Sequence, residues 1–282
     1  MLTDGQQHVH PVPAQHAALA QTLAHREQAD LTMDGLAERL DLSRSAIGAY
    51  EEGRNLPSQP VLEAICRVCN ASDKFDVLNE LRKDARKPGW YSTSGLPEWL
   101  KKYVGLEDDA VTARVFSIEL IPGLLQIEGY ARQLHSLHSL SDEDIERRVA
   151  ARLRRQQRLT GPHPLSLVAL ISEAALHRLF AEPDMATAQL HHLAASARLP
   201  NVSLRILPFA AGLHRSMSGS FTLLDFAPGI SSPIAYQEYA VGAHLVDNQK
   251  DVSDLVGVYD QLQTQALDEQ RTLDMIRERI ER

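Results

Sequence analysis

The stretch from Thr32 to Ser58 constrains the fold more than any other part of the chain. Its small and apolar residues are spaced for two short helices that cross at close range. Ala37 stands four residues before a turn at Asp41, and Ile47 and Tyr50 follow at helical spacing in the next segment. This pattern predicts a helix-turn-helix. The other apolar positions of its buried face are Leu36, Leu40 and Leu42.

The second helix of this pair is predicted to begin at Ser43, which is a suitable N-cap. In such modules the first turn of that helix enters the major groove of DNA, and we expect Gly48 and Ala49 to point outward with it. Gly53 can end the helix as a left-handed cap. The predicted DNA-contacting residues are Thr32, Ser43, Arg44, Ser45, Gly48, Ala49, Arg54 and Asn55.

The segment from Gln15 to Leu81 resembles the lambda-repressor-like (Xre) DNA-binding domain, and this resemblance implies an all-α bundle of about five helices. Two positions depart from the family pattern. Met33 replaces the usual Gln and cannot donate a hydrogen bond to a phosphate. Asp41 replaces the usual Gly, but Asp tolerates the left-handed conformation that the turn requires.

The N-terminal domain is acidic, which is unusual for a strong DNA binder. Residues 1–87 hold 10 Lys or Arg against 13 Asp or Glu, a net charge of −3. The basic residues near the motif, His25, Arg26, Arg44 and Arg54, could still form one local positive face. One copy should therefore bind weakly, and the charge favours a homodimer whose two copies add their phosphate contacts.

The 282 residues are 44% hydrophobic and 23% charged, with a net charge of −8, which is ordinary for a globular chain of two domains. No apolar run is long enough for a membrane span, and we expect residues 1–14 to be a flexible leader rather than a signal peptide. Cys66 and Cys69 lack the further ligands of a zinc site, so we expect them to pack in the helical core. We predict a cytoplasmic protein without metal or cofactor.

A helix break at Lys87-Pro88-Gly89 divides the predicted helix-turn-helix domain, residues 15–87, from a second domain, residues 88–282. Apolar runs predict strands at 113–119 and 165–171, and four more follow between 202 and 246, separated by glycines. Helices are predicted at 141–161, 173–180, 185–197, 252–265 and 268–281. We expect an α+β domain with a mostly antiparallel sheet.

Four residues of the second domain are candidates for a binding pocket at one end of the sheet: His214, Phe221, Tyr236 and Glu238. A lone His and a lone Glu are more often structural partners than a catalytic pair, so an enzyme is the weakest interpretation and no catalytic residue is assigned. A basic run, Arg152 to Arg158, could contact phosphate. A solvated helix whose arginines pair with carboxylates of the same domain explains that run better.

The same domain resembles the C-terminal domain of unknown function of actinobacterial Xre-type regulators, found in many streptomycete paralogues. The resemblance rests on Ile121-Pro122-Gly123-Leu124-Leu125-Gln126, on Glu173-Ala174-Ala175-Leu176, and on the Leu-Pro-Phe, Gly, His and Gly-Ser-Phe series from 207 to 221. It implies a regulator whose gene often stands beside that of a small partner protein.

These observations favour a dimeric transcriptional regulator that binds a double-stranded DNA operator. Its second domain would dimerise and bind a small-molecule effector or a protein partner. The alternative is an antitoxin-like module that holds a small partner protein and binds DNA mainly to regulate its own gene.

Overall fold

A computed structural model describes residues 26, 29, 31–51, 55–85, 89–179, 181–227 and 232–281. The chain divides into two compact units between Gly89 and Trp90, and the second unit contains the residues from Trp90 onward except 227–232.

The described part of the N-terminal unit contains four α-helices. They are α1 (Met33–Leu40), α2 (Arg44–Glu51), α3 (Gln59–Val68) and α4 (Phe75–Ala85). Residues 15–25, where a further helix of the predicted bundle would lie, fall outside the described part, so the number of five stays a prediction.

Side chains cap three of these helices at their N-termini. Thr32 accepts a hydrogen bond from the Gly35 amide at 3.0 Å, and Ser43 accepts one from the Ala46 amide at 3.1 Å, as predicted. Ser58 caps α3 in the same way. Between α1 and α2, Asp41 adopts the predicted left-handed conformation, with φ 52° and ψ 44°.

The core of the N-terminal unit confirms the predicted crossing. Leu36 and Ala37 of α1 pack with Ile47 of α2 and with Leu62 of α3. Cys66 lies in the same cluster as a free thiol, and burial raises its pKa, so it is a core residue rather than a reactive one. Other members of the cluster are Ile65, Cys69 and Leu78, with Met33, Leu40, Leu42 and Tyr50 packed around them.

The second unit combines seven helices with six strands in its described part. The helices are α5 (Glu98–Asp109), α6 (Glu128–Ser136), α7 (Asp142–Gln156), α8 (Glu173–Leu179), α9 (Pro183–Ser196), α10 (Gln249–Gln265) and α11 (Glu269–Ile280). The strands are β1 (Thr112–Ser117), β2 (Ser166–Ser172), β3 (Val202–Leu207), β4 (Phe221–Asp225), β5 (Ile234–Tyr239) and β6 (Gly242–Val246). The six strands and helices α7 to α11 lie close to their predicted positions, whereas α6 was not predicted from the sequence.

The sheet is mixed, and the expectation of a mostly antiparallel sheet needs correction. Its strand order is β3-β2-β1-β4-β5-β6. The pairs β1–β2 and β2–β3 are parallel, whereas β4 pairs antiparallel with both β1 and β5, and β6 pairs antiparallel with β5. Helices connect the three parallel strands, as a parallel connection requires, while a short turn at residues 240–241 connects β5 to β6.

Helix α10 covers a core of sheet residues. Tyr259 of α10 lies fully buried among Phe116, Leu170 and Leu223, and its hydroxyl donates a hydrogen bond to the Val168 carbonyl at 2.7 Å. This packing fixes the middle of the sheet. Strands β1, β4 and β5 of that region also form part of the cavity described below.

Candidate functional sites

The turn that opens α2 is exposed, as a DNA-contacting turn must be. Ser43, Arg44 and Ser45 all lie on the surface, and the hydroxyls of Ser43 and Ser45 are 3.0 Å apart. Thr32 and Asn55 are exposed as well. Five of the eight predicted DNA-contacting residues therefore present polar groups to solvent on the helix-turn-helix.

Arg44 is held by an acidic neighbour on α1. Its Nη1 lies 3.1 Å from Oδ2 of Asp34, and both side chains are 67% exposed. A pair this open to water contributes only about 0–1 kcal/mol, so a phosphate or a guanine edge can displace the carboxylate.

Two of the predicted DNA-contacting residues are buried, and the expectation that they point outward was wrong. Gly48 and Ala49 lie on the inner face of α2 beside Ile47, where small side chains allow the helices to approach. Arg54 lies outside the described residues.

Arg26 was expected to add to a positive face, but it forms an internal contact. Its Nε lies 2.7 Å from Oε1 of Glu51, with both side chains nearly buried, and it also donates a hydrogen bond to the Leu31 carbonyl. This pair fastens the chain ahead of α1 to the last residue of α2. Sequence reasoning missed that role, and His25 lies outside the described residues.

A cavity of about 760 Å³ lies in the second unit, within the usual range for small-molecule sites. Helices α5, α6 and α7, the loop 120–126 and the ends of β1, β4 and β5 form its walls. Three of the four predicted effector residues line it: Phe221, Tyr236 and Glu238. The fourth, His214, lies outside the lining and packs edge-on against the ring of Phe116 at 5.6 Å.

A charged and aromatic network forms one wall. Arg155 of α7 pairs with Glu107 of α5 through two hydrogen bonds of 2.7 and 2.8 Å, and both side chains are buried. The Tyr103 hydroxyl donates to the same carboxylate at 2.7 Å, and burial raises its pKa well above the usual value. The ring of Tyr103 stacks on that of Tyr236 at 4.1 Å, so the network orients a predicted site residue.

Two further arginines of α7, Arg148 and Arg152, line the cavity. Arg152 donates a hydrogen bond to Oε1 of Gln126 at 2.8 Å, and its guanidinium lies against Gly123, where a side chain would displace it. Burial lowers the pKa of Arg152 to about 10, so it stays charged at neutral pH.

The predicted basic run divides into separate roles. Arg155 is paired inside, Arg158 lies 3.8 Å from Asp108, and Arg154 stacks over the ring of Trp90 at 4.6 Å. Pairing within the domain was therefore the correct interpretation for Arg155 and Arg158, whereas Arg152 faces the cavity. Helical spacing was the available signal, because residues 148, 152 and 155 fall on one face of a helix.

Among the described residues, no group of three or more His, Cys, Asp or Glu is placed to hold a metal ion. In the same part of the chain, none of the helices has the length and apolar character needed to cross a membrane. No hydrogen bond between described residues joins His214 to Glu238, and Nδ1 of His214 is buried without a partner.

Comparison with known protein families finds two matches. Residues 18–76 match a model described as a helix-turn-helix domain. Residues 100–278 match a model described as a domain of unknown function, DUF5753. No curated protein and no solved structure matches the chain.

Proposed function

We propose that this chain, which belongs to the DUF5753 family and carries a helix-turn-helix domain at its N-terminus, is a dimeric, sequence-specific transcriptional regulator. The helix-turn-helix domain would bind an operator, and the second unit would dimerise and bind an effector or a partner. The protein would act in the cytoplasm, as other Xre-type regulators of actinobacteria would.

The exposed, side-chain-capped turn at the start of α2 is the observation that carries this proposal. It presents Arg44 beside two hydroxyls, while Ile47 on the inner face fixes α2 against α1. A guanidinium at this place suits a guanine edge in the major groove.

The test is operator selection from random DNA with the full chain, followed by titration of the selected duplex. Arg44→Ala should weaken binding by about 1–3 kcal/mol, which is the usual value of one specific base contact. The selected sequence should also be an inverted repeat if the regulator is a dimer.

Arg67→Ala is the matched control. Arg67 is also an exposed arginine on the N-terminal unit, with 71% of its side chain accessible, and it also forms an exposed pair, with Glu63 at 3.3 Å. Loss of affinity in both variants would indicate a general charge effect. Full affinity of Arg44→Ala would exclude this residue from operator recognition.

A second function, holding a small partner protein, is supported by one surface segment. The segment 209–217 exposes three large apolar side chains, Phe209, Leu213 and Met217, of which Leu213 is 87% accessible. The partner would be the product of a neighbouring gene. This partner protein should co-elute with the wild-type chain and not with Leu213→Asp. Co-elution with both would show that the contact lies elsewhere.

A further inference from the structure

The cavity in the second unit has an excess of positive charge on one wall. Arg148, Arg152 and Arg155 follow each other at intervals of four and three residues along α7, and all three line the cavity. The charge of Arg155 is neutralised by the two hydrogen bonds to Glu107. The other two arginines have no such carboxylate.

Within the described part of the chain, neither Arg148 nor Arg152 has an acidic group within ion-pair distance. Arg152 contacts the neutral amide of Gln126, and Nε of Arg148 is buried without any hydrogen-bond partner. Both side chains are partly buried, and a partly desolvated guanidinium without a counter-ion is less stable than one that is paired. An anion in the cavity would supply the missing charge and the missing acceptor.

The other charged groups of the cavity cancel only part of this excess, because the one carboxylate that acts on Arg152 without a cationic partner of its own is that of Glu238. Glu119 pairs with Arg178 outside the lining, and the exposed Glu238 accepts a hydrogen bond from Tyr236 at 3.3 Å. His135 of α6 also lines the cavity, and its pKa is lowered to about 4 by burial and, to a smaller extent, by the positive charges of Arg152 and Arg148.

The remaining lining suits an apolar body. Phe116 and Phe221 line the cavity together with the stacked rings of Tyr103 and Tyr236. Aliphatic side chains add to the walls, among them Leu100, Val115, Ile121, Leu124 and Leu134. Sites of about 760 Å³ with mostly apolar walls and a few convergent polar groups enclose ligands of drug-like size.

We propose that this cavity binds a small organic anion with an apolar body, and that Arg148 and Arg152 hold its carboxylate or phosphate group. The anion is the effector only if the proposed regulatory function holds, while its binding is a property of the second unit by itself.

The probes are decanoate, decyl phosphate and decan-1-ol, which share one alkyl chain and differ in the head group. Calorimetric titration of the full chain, below micelle-forming concentrations, should show both anions binding at least about tenfold more tightly than the alcohol, as a charge-assisted contact provides. The anion that binds more tightly identifies which head group, carboxylate or phosphate, the two arginines hold. Equal affinity for all three probes, or no binding of either anion, would overturn the assignment.

Three variants and one control test the two arginines. Arg148→Gln and Arg152→Gln should each reduce anion affinity at least about tenfold and leave the affinity for the alcohol unchanged. Gly123→Ala should reduce it too, since the added carbon meets the Arg152 guanidinium while the arginine itself remains. Arg147→Gln, an exposed residue of α7 paired with Glu143, should have no effect. Loss for the alcohol as well would indicate mere damage to the fold and contradict the proposal.

DNA titration of the same variants separates the two proposals. If the anion binds but does not change the affinity for the operator, the anion site stands and its role in regulating DNA binding is excluded. Absence of any DNA binding would remove the regulator and leave the calorimetric result untouched.

Discussion

Asp41 holds the turn between α1 and α2 in a conformation that few side chains tolerate, with φ 52° and ψ 44°. A β-branched side chain there should destabilise the turn, and we expect Asp41→Val to lower the local stability by about 1–2 kcal/mol. Asp41→Gly should leave it unchanged or raise it, because glycine adopts this conformation freely.

Hydrogen exchange of the α1 and α2 amides measures this local stability. Glu38→Val is the control, since residue 38 is exposed on α1 and carries only the helix-propensity effect, which is below about 0.7 kcal/mol. Equal protection in Asp41→Val and Glu38→Val would show that the turn is not strained.

His135 gives the second unit a pH-dependent stability. Burial, followed by the charges of Arg152 and Arg148, lowers its pKa to about 4, against about 6.5 in an unfolded chain. Between these two pH values the unfolded chain binds the proton and the folded chain does not. The free energy of unfolding that the neutral His135 contributes is therefore fully present above pH 6.5 and is lost as the pH falls toward 4.

His135→Gln should therefore flatten the fall in melting temperature between pH 7 and pH 4.5. His138→Gln, at an exposed neighbour that is the smallest of the four causes of the shift, should change that fall much less than His135→Gln does. An unchanged pH profile in His135→Gln would mean that His135 is protonated in the folded protein as readily as in the unfolded chain.

At the scale of elements, the pair between Arg155 and Glu107 fastens α7 to α5. Because both side chains are buried, Glu107→Ala should destabilise the second unit by about 3–5 kcal/mol by leaving an unpaired guanidinium. Adding Arg155→Met should recover part of that loss, because it removes the unpaired charge. Urea unfolding followed by tryptophan fluorescence reports on this unit, since both tryptophans, Trp90 and Trp99, belong to it.

Glu143→Ala is the control for these two variants. It breaks the exposed pair with Arg147 and should change the free energy of unfolding by less than about 0.5 kcal/mol. If Glu107→Ala alone were as mild, the buried pair would contribute little to joining α5 and α7.

The same scale shows which parts of the fold a sequence can indicate. Apolar runs located all six described strands, and glycines marked the limits of the last four, because a buried strand must be apolar and its ends must turn. Strand direction was harder, since it depends on how the chain returns to the sheet. The helices between β1, β2 and β3 were the missed sign of parallel pairing, because a parallel return needs a long connection.

Candidate sites were predicted in part, for similar reasons. Phe221, Tyr236 and Glu238 lie on adjacent strands and could be placed together from strand order. The cavity wall formed by Arg152 depends on which face α7 turns toward the cavity, and that is decided by packing with α6 and with the turn at 123–125 rather than by the sequence of α7 alone. Gly48 and Ala49 were assigned to the surface because they belong to the helix expected to enter the major groove, although small residues also mark close helix contacts.

At the scale of the whole molecule, charge is the main constraint on DNA binding. Residues 1–87 carry a net charge of −3, and the Arg26 charge is already paired with Glu51. A single helix-turn-helix with so little free positive charge gains little from counter-ion release. Two copies on one duplex would double the phosphate contacts.

We therefore predict that a fragment of residues 1–89 is monomeric with very weak operator affinity, while the full chain is a dimer that binds an inverted repeat. Its half-sites should lie one helical turn apart, about 34 Å. Analytical ultracentrifugation gives the oligomeric state, and titration at several salt concentrations gives the number of phosphates neutralised, which should be about twice as large for the full chain. Full-chain Arg44→Ala controls for non-specific binding. A fragment that bound as tightly as the full chain, with the same salt dependence, would mean that the second unit does not bring two DNA-binding domains together.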